Sequence, residues 1–410
     1  MSRGVRVLSL APISNDARKL SRYSFLDEEL RALGDAGVDV FVFSGSPDAY
    51  ADNGRIHVRP LPSDSMSWRA RAARFYASHR HVVPVANLTD PLQIYRGVRT
   101  ECAAVDIVRA ERIDIVHSYF GWPKGYGGQF VKAATGLPLV AGLRGADINT
   151  LPEHDYGARL DASFDRSMRR LLRVADRTVS VSDFVRRQAI GLGARSEAAD
   201  VILKGVRLDL FDNARRPQAR VALGLGPTPL VLAVAGLVPI KGIGHILTAM
   251  SMVAGQGLAF RLVICGEGGE RAQLERQAAS LGIGNHVTFA GRVARDLITD
   301  YFAAADVFVH GALIEASGNV LLEAMGAGLP AVCTDAGGPS EYVSHGHTGF
   351  VVPVADPPAM AERVAWLLRH ETERQQMGTR ARARAESLFA YGRMIDETVS
   401  LYRSLLSRKM

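Results

Sequence analysis

The sequence predicts an α/β protein with two doubly wound domains, each containing a parallel sheet covered by helices on both faces. Short, nearly all-apolar runs alternate with helical patterns along the whole chain, which is typical of parallel strands buried on both sides. This series occurs twice, which indicates two such domains. The length of 410 residues also exceeds what one ordinary hydrophobic core accommodates.

A polar segment containing a proline separates the two series of strands. The first half has predicted strands at 5–11, 38–44, 114–120, 138–144, 177–182 and 199–205, and a helix at about 22–36. The second half has predicted strands at 229–236, 260–266, 286–291, 305–311, 329–337 and 349–353. Because DNARRPQAR (212–220) is polar, it is the predicted junction. We expect domains at 1–213 and 214–385, with a helix over 386–410 that packs back on the first domain.

The composition narrows the classes of partner and compartment. The net charge of +7 favours contact with an anionic partner, such as a phosphorylated ligand, a nucleic acid or an acidic membrane surface. The 3 cysteines are far apart and fit neither a zinc site nor a disulfide framework, which favours a reducing compartment such as the cytoplasm. The N-terminal apolar run is expected to be a strand and not a signal peptide.

Two segments raise the question of membrane contact. Residues 221–240 carry no charge, but prolines and glycines interrupt them, so we expect a loop, a strand and a loop instead of a membrane span. Residues 68–81 form a basic amphipathic helical pattern with Trp68, Phe75 and Tyr76. Such a helix either lies on an anionic membrane surface or is an ordinary surface helix whose aromatic side chains pack inward.

The stretch EASGNVLLEAMGAG, which starts at Glu315, contains the strongest functional signal. Its first part is a loop that leads into a helix, and helix N-termini attract phosphates because their N–H groups are unpaired. Gly318 permits close approach of an anion, Glu315 can reach a group attached to the phosphate, and Glu323 can accept hydrogen bonds from ribose hydroxyls. Alternatively, both acids are solvent-facing or capping residues.

Two further segments of the second half fit an anion site. In AGLVPIKG a strand ends in a turn, and Lys241 followed by Gly242 opens a helix, where the lysine can neutralise a diphosphate. In ICGEGGE a strand leads into a glycine turn at Gly266. That turn alone is a weak nucleotide fingerprint, because it is not GxGxxG.

Together these segments resemble the retaining glycosyltransferases of family 4, which have the GT-B fold: two facing Rossmann-like domains with a deep cleft between them. The resemblance covers most of the chain. Glu315 and Glu323, followed by AMGAGLPAV and GG, are similar to the family's most specific motif, and Lys241 is similar to its phosphate-binding lysine. In the first half, DIVHSYFGWPKG, GLRGADI and KGVRLDLF are similar to family segments. YSFLDEELRALGDAGVDVFVFS resembles a colanic-acid-type subgroup that assembles bacterial extracellular polysaccharides.

The chain departs from the family pattern at several positions. Gly236 stands where the family usually has an arginine, Tyr119 stands for a second histidine after His117, and Arg144 stands for the histidine of a His-Gly-x-Asp segment. No Gly-Gly pair follows the first strand, where APISNDARKLSRYS stands. Most of these changes concern the acceptor-side domain.

The resemblance implies transfer of a sugar from a nucleotide-diphosphate donor to a glycan or lipid-linked acceptor, with retention of anomeric configuration, in cell-surface polysaccharide biosynthesis. It implies no cofactor, and because the chain contains no Asp-x-Asp we expect no essential metal. We also expect no nucleic-acid partner and a cytoplasmic protein, with peripheral contact with the inner membrane surface as an option. The implied catalytic residues are Glu315, Lys241, His117, Tyr119 and Arg144. The implied donor-binding residues are Gly318, Asn319, Val320, Glu323, Gly266, Lys241 and Gly242, and Asp147 is implied on the acceptor side.

Other readings remain open at this point. An NAD-dependent dehydrogenase is disfavoured, because APISND lacks a GxGxxG motif after the first strand. A phosphorylase would need a cofactor lysine in a much longer chain. A sugar-nucleotide epimerase with the same fold, and a non-catalytic donor-binding partner in a polysaccharide assembly complex, both stay as alternatives.

Overall fold

The chain folds into two compact units, each built around one parallel sheet. The structure is a computed structural model that describes residues 4–10, 24–44, 54–60, 66–79, 91–120, 124–211 and 215–407. The N-terminal unit comprises Met1–Ile202 together with Ile395–Met410, and the C-terminal unit comprises Leu203–Met394. Both units have the α/β architecture that the sequence predicts.

The described residues of the N-terminal unit form a seven-stranded parallel sheet. Its strands are β1 (Arg6–Leu10), β2 (Asp39–Ser44), β3 (Ile56–Pro60), β4 (Ile115–Ser118), β5 (Leu139–Leu143), β6 (Arg177–Ser180) and β7 (Ala199–Val201). They lie in the order β3-β2-β1-β4-β5-β6-β7, so the order reverses between β1 and β4, as in Rossmann folds. The helices are α1 (Ser24–Asp35), α2 (Met66–His79), α3 (Pro91–Glu111), α4 (Lys124–Thr135), α5 (Ala162–Val174) and α6 (Asp183–Gly191).

The C-terminal unit repeats this plan with a six-stranded parallel sheet. Its strands are β8 (Leu230–Val234), β9 (Arg261–Cys265), β10 (Val287–Gly291), β11 (Val307–His310), β12 (Ala331–Thr334) and β13 (Gly349–Val352). Their order is β10-β9-β8-β11-β12-β13, with the reversal between β8 and β11. The helices are α7 (Arg216–Ala222), α8 (Ile243–Gly255), α9 (Arg271–Ser280), α10 (Arg295–Ala304), α11 (Asn319–Gly326), α12 (Pro339–Tyr342), α13 (Pro357–Arg369) and α14 (Glu371–Leu388). The last helix, α15 (Tyr391–Ser407), begins in this unit.

Helices cover both faces of the C-terminal sheet, so the strands at its centre are largely apolar. Successive residues of β8 serve opposite faces: Val231 belongs to the core beneath α8 and α13, and Leu232 belongs to the core beneath α11. Both side chains are fully buried. Cys265 and Cys333 lie in the second of these cores, as their apolar contexts predict, and burial raises the pKa of both thiols.

The segment 221–240 has no membrane-spanning helix. It contains the end of α7, strand β8 and a turn, in agreement with the predicted loop, strand and loop. No helix in the described part of the chain combines the length and the apolarity needed to cross a bilayer.

A buried aspartate joins distant elements of the C-terminal unit. Asp306, just before β11, accepts a hydrogen bond from the Leu230 N–H at 2.8 Å. Its carboxylate also pairs with Arg216 at 2.6 Å and with Arg220 at 3.3 Å, both on α7, and lies 3.7 Å from Arg374 on α14. Since its side chain is only 9% exposed, the carboxylate depends on these partners for the solvation that water would otherwise supply.

The compact units divide the chain at other points than the predicted boundaries of 213 and 385. The divisions fall between Ile202 and Leu203 and between Met394 and Ile395. The physical reason is that Val206 pairs with Ala390 as a parallel bridge and packs, with Phe211, in a core of the C-terminal unit. In the predicted junction 212–220, residues 212–214 lie outside the described residues, and the remainder leads into α7.

One strand of the N-terminal unit is absent from the sequence prediction. Strand β3, IHVRP, lies at the sheet edge, where charged residues and proline discourage pairing with another chain. Its polar His57 and Arg59 and its final Pro60 interrupt the apolar run on which the other strands were recognised. The segment APISNDARKLSRYS lies almost entirely outside the described residues, which resume at 24.

Substitution of Asp306 is expected to destabilise the C-terminal unit strongly. Replacing Asp306 with Ala leaves three arginines and one buried N–H without their shared partner, so we expect the C-terminal unit to lose about 3 kcal/mol of unfolding free energy. Urea denaturation followed by Trp366 fluorescence, in a background carrying Trp68→Phe and Trp122→Phe, measures this unit alone.

The matched control for this prediction is Asp300→Ala on α10. Asp300 pairs at 2.9 Å with Arg215, whose side chain is 55% exposed, so its loss should cost at most about 0.5 kcal/mol. Equal effects of the two substitutions would contradict the assignment of Asp306 as a buried anchor.

Candidate active site

Parallel sheets place their ligand sites beyond the carboxyl ends of the strands, where the strand order reverses. In the C-terminal unit the reversal lies between β8 and β11. The loop after β8 carries Lys241, and the loop after β11 carries Glu315 and leads into α11. The topology therefore brings the lysine and the predicted motif together, although they are 74 positions apart in sequence.

Close backbone contacts hold these two loops against each other. Lys241 ends a short 3-10 turn, and Gly242 follows in the left-handed conformation, with φ of 60°. A side chain at Gly242 would place its Cβ 1.9 Å from the carbonyl oxygen of Gly311, so only glycine fits. The Leu313 N–H donates to the Ile240 carbonyl at 2.8 Å. Gly242 thus contributes to the site by allowing the loops to touch.

The main chain of Glu315 is fixed by the glycine pair that follows β12. Glu315 forms a parallel bridge with Gly337, its N–H donates to Ala336 at 2.9 Å, and its carbonyl accepts from the Gly338 N–H at 3.0 Å. A Cβ at Gly338 would lie 2.1 Å from the Ala316 carbonyl oxygen. The GG part of the motif therefore provides the surface on which the EASG loop rests.

The side chains of Lys241 and Glu315 form an ion pair, with 2.5 Å between Nζ and Oε2. Oε1 of Glu315 accepts from the Ala316 N–H at 3.0 Å. Burial alone would raise the pKa of the Glu315 carboxyl, but the Lys241 ammonium and neighbouring hydrogen bonds outweigh it and hold this pKa below its usual value. The pair therefore consists of an ionised carboxylate beside a partly exposed ammonium group.

His310, which the sequence prediction did not single out, lies behind this pair at the end of β11. Its imidazole is buried, and its Nε2 lies 3.9 Å from Oε2 of Glu315. Burial lowers the pKa of His310 to about 4, despite the opposing effect of the Glu315 carboxylate, and Lys241 lowers it further. The signal in the sequence was a histidine that closes an otherwise apolar strand, VFVH.

Helix α11 presents an uncapped N-terminus beside the ion pair. Gly318 is the N-cap residue in the left-handed conformation, with φ of 81°, and no side chain caps the helix. Asn319 is exposed and Val320 is half-buried, while Glu323 lies one turn further along and is half-buried. The free N–H groups of this first turn provide partial positive charge next to Lys241.

Gly266 lies in the loop after β9 and has a clear packing role. Its N–H donates to the Gly291 carbonyl at 2.8 Å, and a Cβ there would lie 1.8 Å from the Ala235 carbonyl oxygen. Gly236, where the family has an arginine, is exposed, and the nearest atom to a Cβ built there would be 3.9 Å away. The backbone at this point would therefore accept a side chain that the chain does not have.

His117, predicted as catalytic, is buried at the end of β4 in the N-terminal unit. Its Nδ1 lies 2.6 Å from the Tyr402 hydroxyl on α15, and its ring stacks on Tyr119 at 4.2 Å. Its Nε2 has no hydrogen-bond partner among the described residues. Burial, reinforced by the Arg144 cation, lowers the pKa of His117 to about 3. The imidazole is therefore neutral at physiological pH.

Arg144, after β5, is held by an acid that the sequence prediction missed. Its guanidinium makes two hydrogen bonds to Glu29 of α1, at 2.7 and 3.0 Å, and lies 4.9 Å from the centroid of the Tyr119 ring. The Glu29 side chain is 4% exposed. A glutamate within the amphipathic α1 gave no signal, since such residues are usually on the solvent face. This Arg144 is charged but has its charge balanced by Glu29.

Asp147, predicted on the acceptor side, has its Oδ1 engaged with the turn that carries Arg144. The backbone N–H groups of Arg144 and Gly145 donate to it at 3.2 and 2.8 Å. Of the predicted residues, Lys241, Gly242, Glu315, Gly318, Asn319, Val320, Glu323 and Gly266 thus lie in the C-terminal unit, and His117, Tyr119, Arg144 and Asp147 lie in the N-terminal unit.

Comparisons with known proteins identify the family of the chain. The family described as "Glycosyltransferase Family 4" matches residues 24–210, and the family described as "Glycosyl transferases group 1" matches residues 216–384. D-inositol 3-phosphate glycosyltransferase 1 of Catenulispora acidiphila is 30% identical over 72% of this chain and 72% of its own length. The chain therefore belongs to the family 4 glycosyltransferases.

Two further comparisons are more limited in scope. A GDP-mannose-dependent alpha-(1-6)-phosphatidylinositol monomannoside mannosyltransferase of Mycobacterium tuberculosis is 33% identical, and the match spans 52% of this chain and 58% of that protein. The structure of sucrose-phosphate synthase from Thermosynechococcus elongatus superimposes with a TM-score of 0.79 at 19% identity, and covers 99% of this chain and 100% of that one. The predicted GT-B fold class is confirmed. The predicted cleft and the roles of the site residues stay predictions.

The neutral, buried His117 predicts a specific dependence of stability on pH. Its pKa of about 3 lies below the value of about 6.5 expected in the unfolded chain, so below pH 6.5 the unfolded state binds the extra proton. Unfolding free energy of the N-terminal unit should therefore fall as pH drops from 6.5 towards 4, by up to about 1.4 kcal/mol per pH unit from this residue. His117→Asn should flatten that dependence.

Urea denaturation at pH 4 to 7, followed by far-UV circular dichroism, tests this, and Trp366 fluorescence in the Trp68→Phe and Trp122→Phe background reports the C-terminal unit separately. His154→Asn, at an exposed position of the same unit, is the control for removal of a histidine. If His117→Asn retains the full slope, the buried imidazole is not the source of the pH dependence.

Proposed function

We propose that this protein is a retaining glycosyltransferase that moves a sugar from a nucleotide-diphosphate-sugar donor to a glycan or lipid-linked acceptor in cell-surface polysaccharide biosynthesis. The observation that carries the proposal is the Lys241–Glu315 ion pair beside the uncapped N-terminus of α11, at the reversal of strand order. The assignment of the chain to the family 4 glycosyltransferases supports the same reaction class.

The electrostatic part of the mechanism concerns the leaving group. When the bond from the anomeric carbon to the donor phosphate breaks, negative charge develops on the nucleoside diphosphate. Lys241 and the backbone N–H groups of Gly318, Asn319 and Val320 offer a cation and oriented dipoles for that charge. The carboxylate of Glu315, 2.5 Å from Nζ of Lys241, lies where such an anion would pair with the lysine.

The two glutamates would hold the neutral parts of the donor. Glu315 is ionised and fixed through its main chain, so its oxygens can accept hydrogen bonds from sugar hydroxyls. Glu323, one turn into α11, is placed to accept from ribose hydroxyls, as acids do in dinucleotide folds. Gly266 and Gly242 shape the adjoining loops, and we assign them to donor binding through their close backbone contacts.

Retention fits the groups that the motif supplies. Lys241 and the motif provide a cation, backbone amides and carboxylates that accept hydrogen bonds from hydroxyls. They provide no nucleophile paired with a base, so we propose front-face attack without a covalent enzyme intermediate. The acceptor oxygen forms its bond to the anomeric carbon as the phosphate departs, and the departing phosphate oxygen takes the acceptor proton. Lys241 is the counter-charge in this step, so we propose that neither a metal nor another cofactor is required.

We assign the N-terminal residues to recognition of the transferred sugar and the acceptor. His117 is neutral, and its buried Nε2 has no partner among the described residues, so a hydroxyl that reaches it can exchange a hydrogen bond without an added charge. Arg144 is balanced by Glu29, and Tyr119 stacks on His117. Asp147 orients the turn that carries Arg144. The cluster is therefore suited to an uncharged, hydroxylated group, and no nucleic-acid partner is proposed.

A lipid-linked acceptor is proposed from helix α2. Arg69 and Arg74 are exposed there, whereas Phe75 lies 6.1 Å from the inward-facing ring of Phe130. Arg71 forms an ion pair with Asp106. The helix thus keeps a basic outer surface while at least one aromatic side chain packs inward, and such a surface attracts anionic headgroups. We propose a cytoplasmic protein with peripheral membrane contact.

One observation favours a second candidate, a non-catalytic donor-binding partner. Gly236 leaves the site without the arginine that the family usually places there, although the backbone would accept a side chain. A protein of this kind would bind the donor and leave it unchanged, while an epimerase of the same fold would convert the donor without an acceptor.

The first prediction of the proposal concerns nucleotide binding. In a thermal-shift screen against UDP, GDP, ADP and their sugar conjugates, one nucleotide at about 100 times its dissociation constant should add about 2.7 kcal/mol of stability. Glu323→Ala should lose this response, because the ribose contact is gone. Glu275→Ala, an exposed acid paired with Arg271 on α9, is the matched control and should keep it.

Transfer assays with the selected donor decide between the candidates. In a catalyst, Lys241→Met should reduce kcat by about 10²–10³, and NMR of the product should show the anomeric configuration of the donor. Binding without transfer to any lipid or glycan acceptor would favour the non-catalytic candidate. An inverted product, or no binding of any nucleotide, would contradict the proposed reaction.

The second prediction concerns the acceptor. Combined Arg69→Ala and Arg74→Ala substitutions should raise the KM for a lipid-linked acceptor in anionic vesicles by about 30-fold, since each basic residue near such a surface contributes about 1 kcal/mol and 1.4 kcal/mol corresponds to a factor of ten. Transfer to a soluble acceptor should be unchanged. Arg187→Ala, another exposed arginine of this unit, is the control. If the variant with both α2 substitutions has the same KM as wild type on vesicles, the proposal of a lipid-linked acceptor is wrong.

A further inference from the structure

The donor site has an internal conflict that depends on the proposed function. Lys241 is needed for the diphosphate, yet its ammonium group is paired with Glu315. Glu315 is only 16% exposed at its side chain and its main chain is fixed by Ala336, Gly337 and Gly338. A ligand that draws Lys241 away therefore leaves a mostly buried carboxylate without its counter-ion, which is unfavourable.

His310 is the group in position to relieve this conflict. Its side chain is 3% exposed, and Nε2 lies 3.9 Å from the same Oε2 atom that accepts from Lys241. The two atoms would need to approach by about 1 Å to form a hydrogen bond. The other ring nitrogen, Nδ1, is buried and has no hydrogen-bond partner among the described residues. A proton on Nδ1 would be an unsatisfied buried donor, so the neutral ring favours the tautomer with the proton on Nε2.

The strand order makes His310 a rigid partner and Lys241 a movable one. His310 ends β11 and pairs in register with Cys333 of β12, so its backbone is part of the sheet. Lys241 lies on a turn and its side chain is 26% exposed, with a long flexible stem. The charged groups that face the imidazole are Glu315, from its own loop, and Lys241, from the loop after β8.

We propose that His310 is a positioning residue for Glu315: when an anionic diphosphate draws Lys241 away, Nε2–H of His310 takes over as the hydrogen-bond donor to the Glu315 carboxylate. The exchange keeps Glu315 in place for the sugar hydroxyls and frees Lys241 for the phosphates. Departure of the cation also removes one cause of the low pKa of His310, so the imidazole gains proton affinity when the ligand binds.

Two substitutions of His310 distinguish the effect of its hydrogen bond from the effect of its imidazole ring. His310→Leu removes the donor at similar volume, and His310→Gln keeps an amide N–H at a comparable depth. We expect His310→Leu to weaken binding of pyrophosphate and of UDP, GDP or ADP about tenfold, because the departing Lys241 leaves Glu315 unpaired. His310→Gln should bind within about threefold of wild type. Before ligand is added, both variants should keep the Lys241–Glu315 ion pair.

A second measurement follows the pKa of His310 by NMR. In the full-length protein labelled at histidine, loss of a signal in His310→Gln assigns the His310 resonance among the 11 histidines. In Lys241→Met the carboxylate has already lost its cation, so the pKa of His310 should rise from about 4 towards the ordinary value of about 6.5. Saturating pyrophosphate should shift it in the same direction in wild type.

The outcomes distinguish this inference from the proposed function. If the His310 pKa stays at about 4 in Lys241→Met, or if His310→Leu binds pyrophosphate and nucleotides as wild type does, the inference is overturned while the glycosyltransferase proposal stands. If no nucleotide or pyrophosphate binds wild type, the proposed function fails, and the Lys241→Met titration still decides the role of His310. If His310→Leu does not fold, the His310→Gln variant and that titration decide it.

Discussion

The contact between the loops that follow β8 and β11 is the constraint on which the candidate active site depends. It exists because the parallel sheet of the C-terminal unit reverses its strand order between these two strands. Gly242 brings the first loop against the Gly311 carbonyl, and the Leu313 N–H bonds to Ile240. Lys241 and Glu315 then meet without any direct connection in sequence. Any side chain at Gly242 would separate the loops and, with them, the two charges.

Burial governs the chemistry of the charged and titratable groups more than their identity does. Glu315 stays ionised because a cation and two N–H groups compensate for the loss of water. Nearby carboxylates compensate only in part for the burial of His310 and His117, so burial keeps both imidazoles neutral. Arg144 retains its charge because Glu29 is within 2.7 Å. The two units therefore hold different groups: a cation with helix N–H groups in one, and a neutral histidine beside a balanced ion pair in the other.

Several glycines in the loops of the C-terminal unit are required for a steric reason. The sequence shows only that glycine is frequent. Gly266 and Gly338 each lie where a Cβ would overlap a carbonyl oxygen of a neighbouring loop. Gly236 is different, because open space surrounds it. A glycine is therefore required for close approach at Gly266 and Gly338, whereas at Gly236 it leaves room for a side chain. Only the folded structure distinguishes these two cases.

The sequence by itself determined the fold class, twelve of the strands, and the motif residues of the C-terminal unit. It could do so because parallel strands buried on both faces leave continuous apolar runs, and because the loop, helix and glycine pair of the motif are local in sequence. Strand β3 was missed because an edge strand carries polar residues. The junction at 212–220 differs from the division at 202 and 203 because polarity does not report which core Val206 and Phe211 join.

The tertiary structure alone decided which groups are partners. Glu29 meets Arg144 across 115 positions, and His117 meets Tyr402 across 285. Neither pairing has a period or spacing that a sequence can display, since each depends on where a helix packs on the sheet. The same holds for His310, whose position behind Lys241 and Glu315 follows from strand order. Local chemistry was readable from the chain, whereas the pairing of buried charges required the folded backbone, because low dielectric and proximity arise only there.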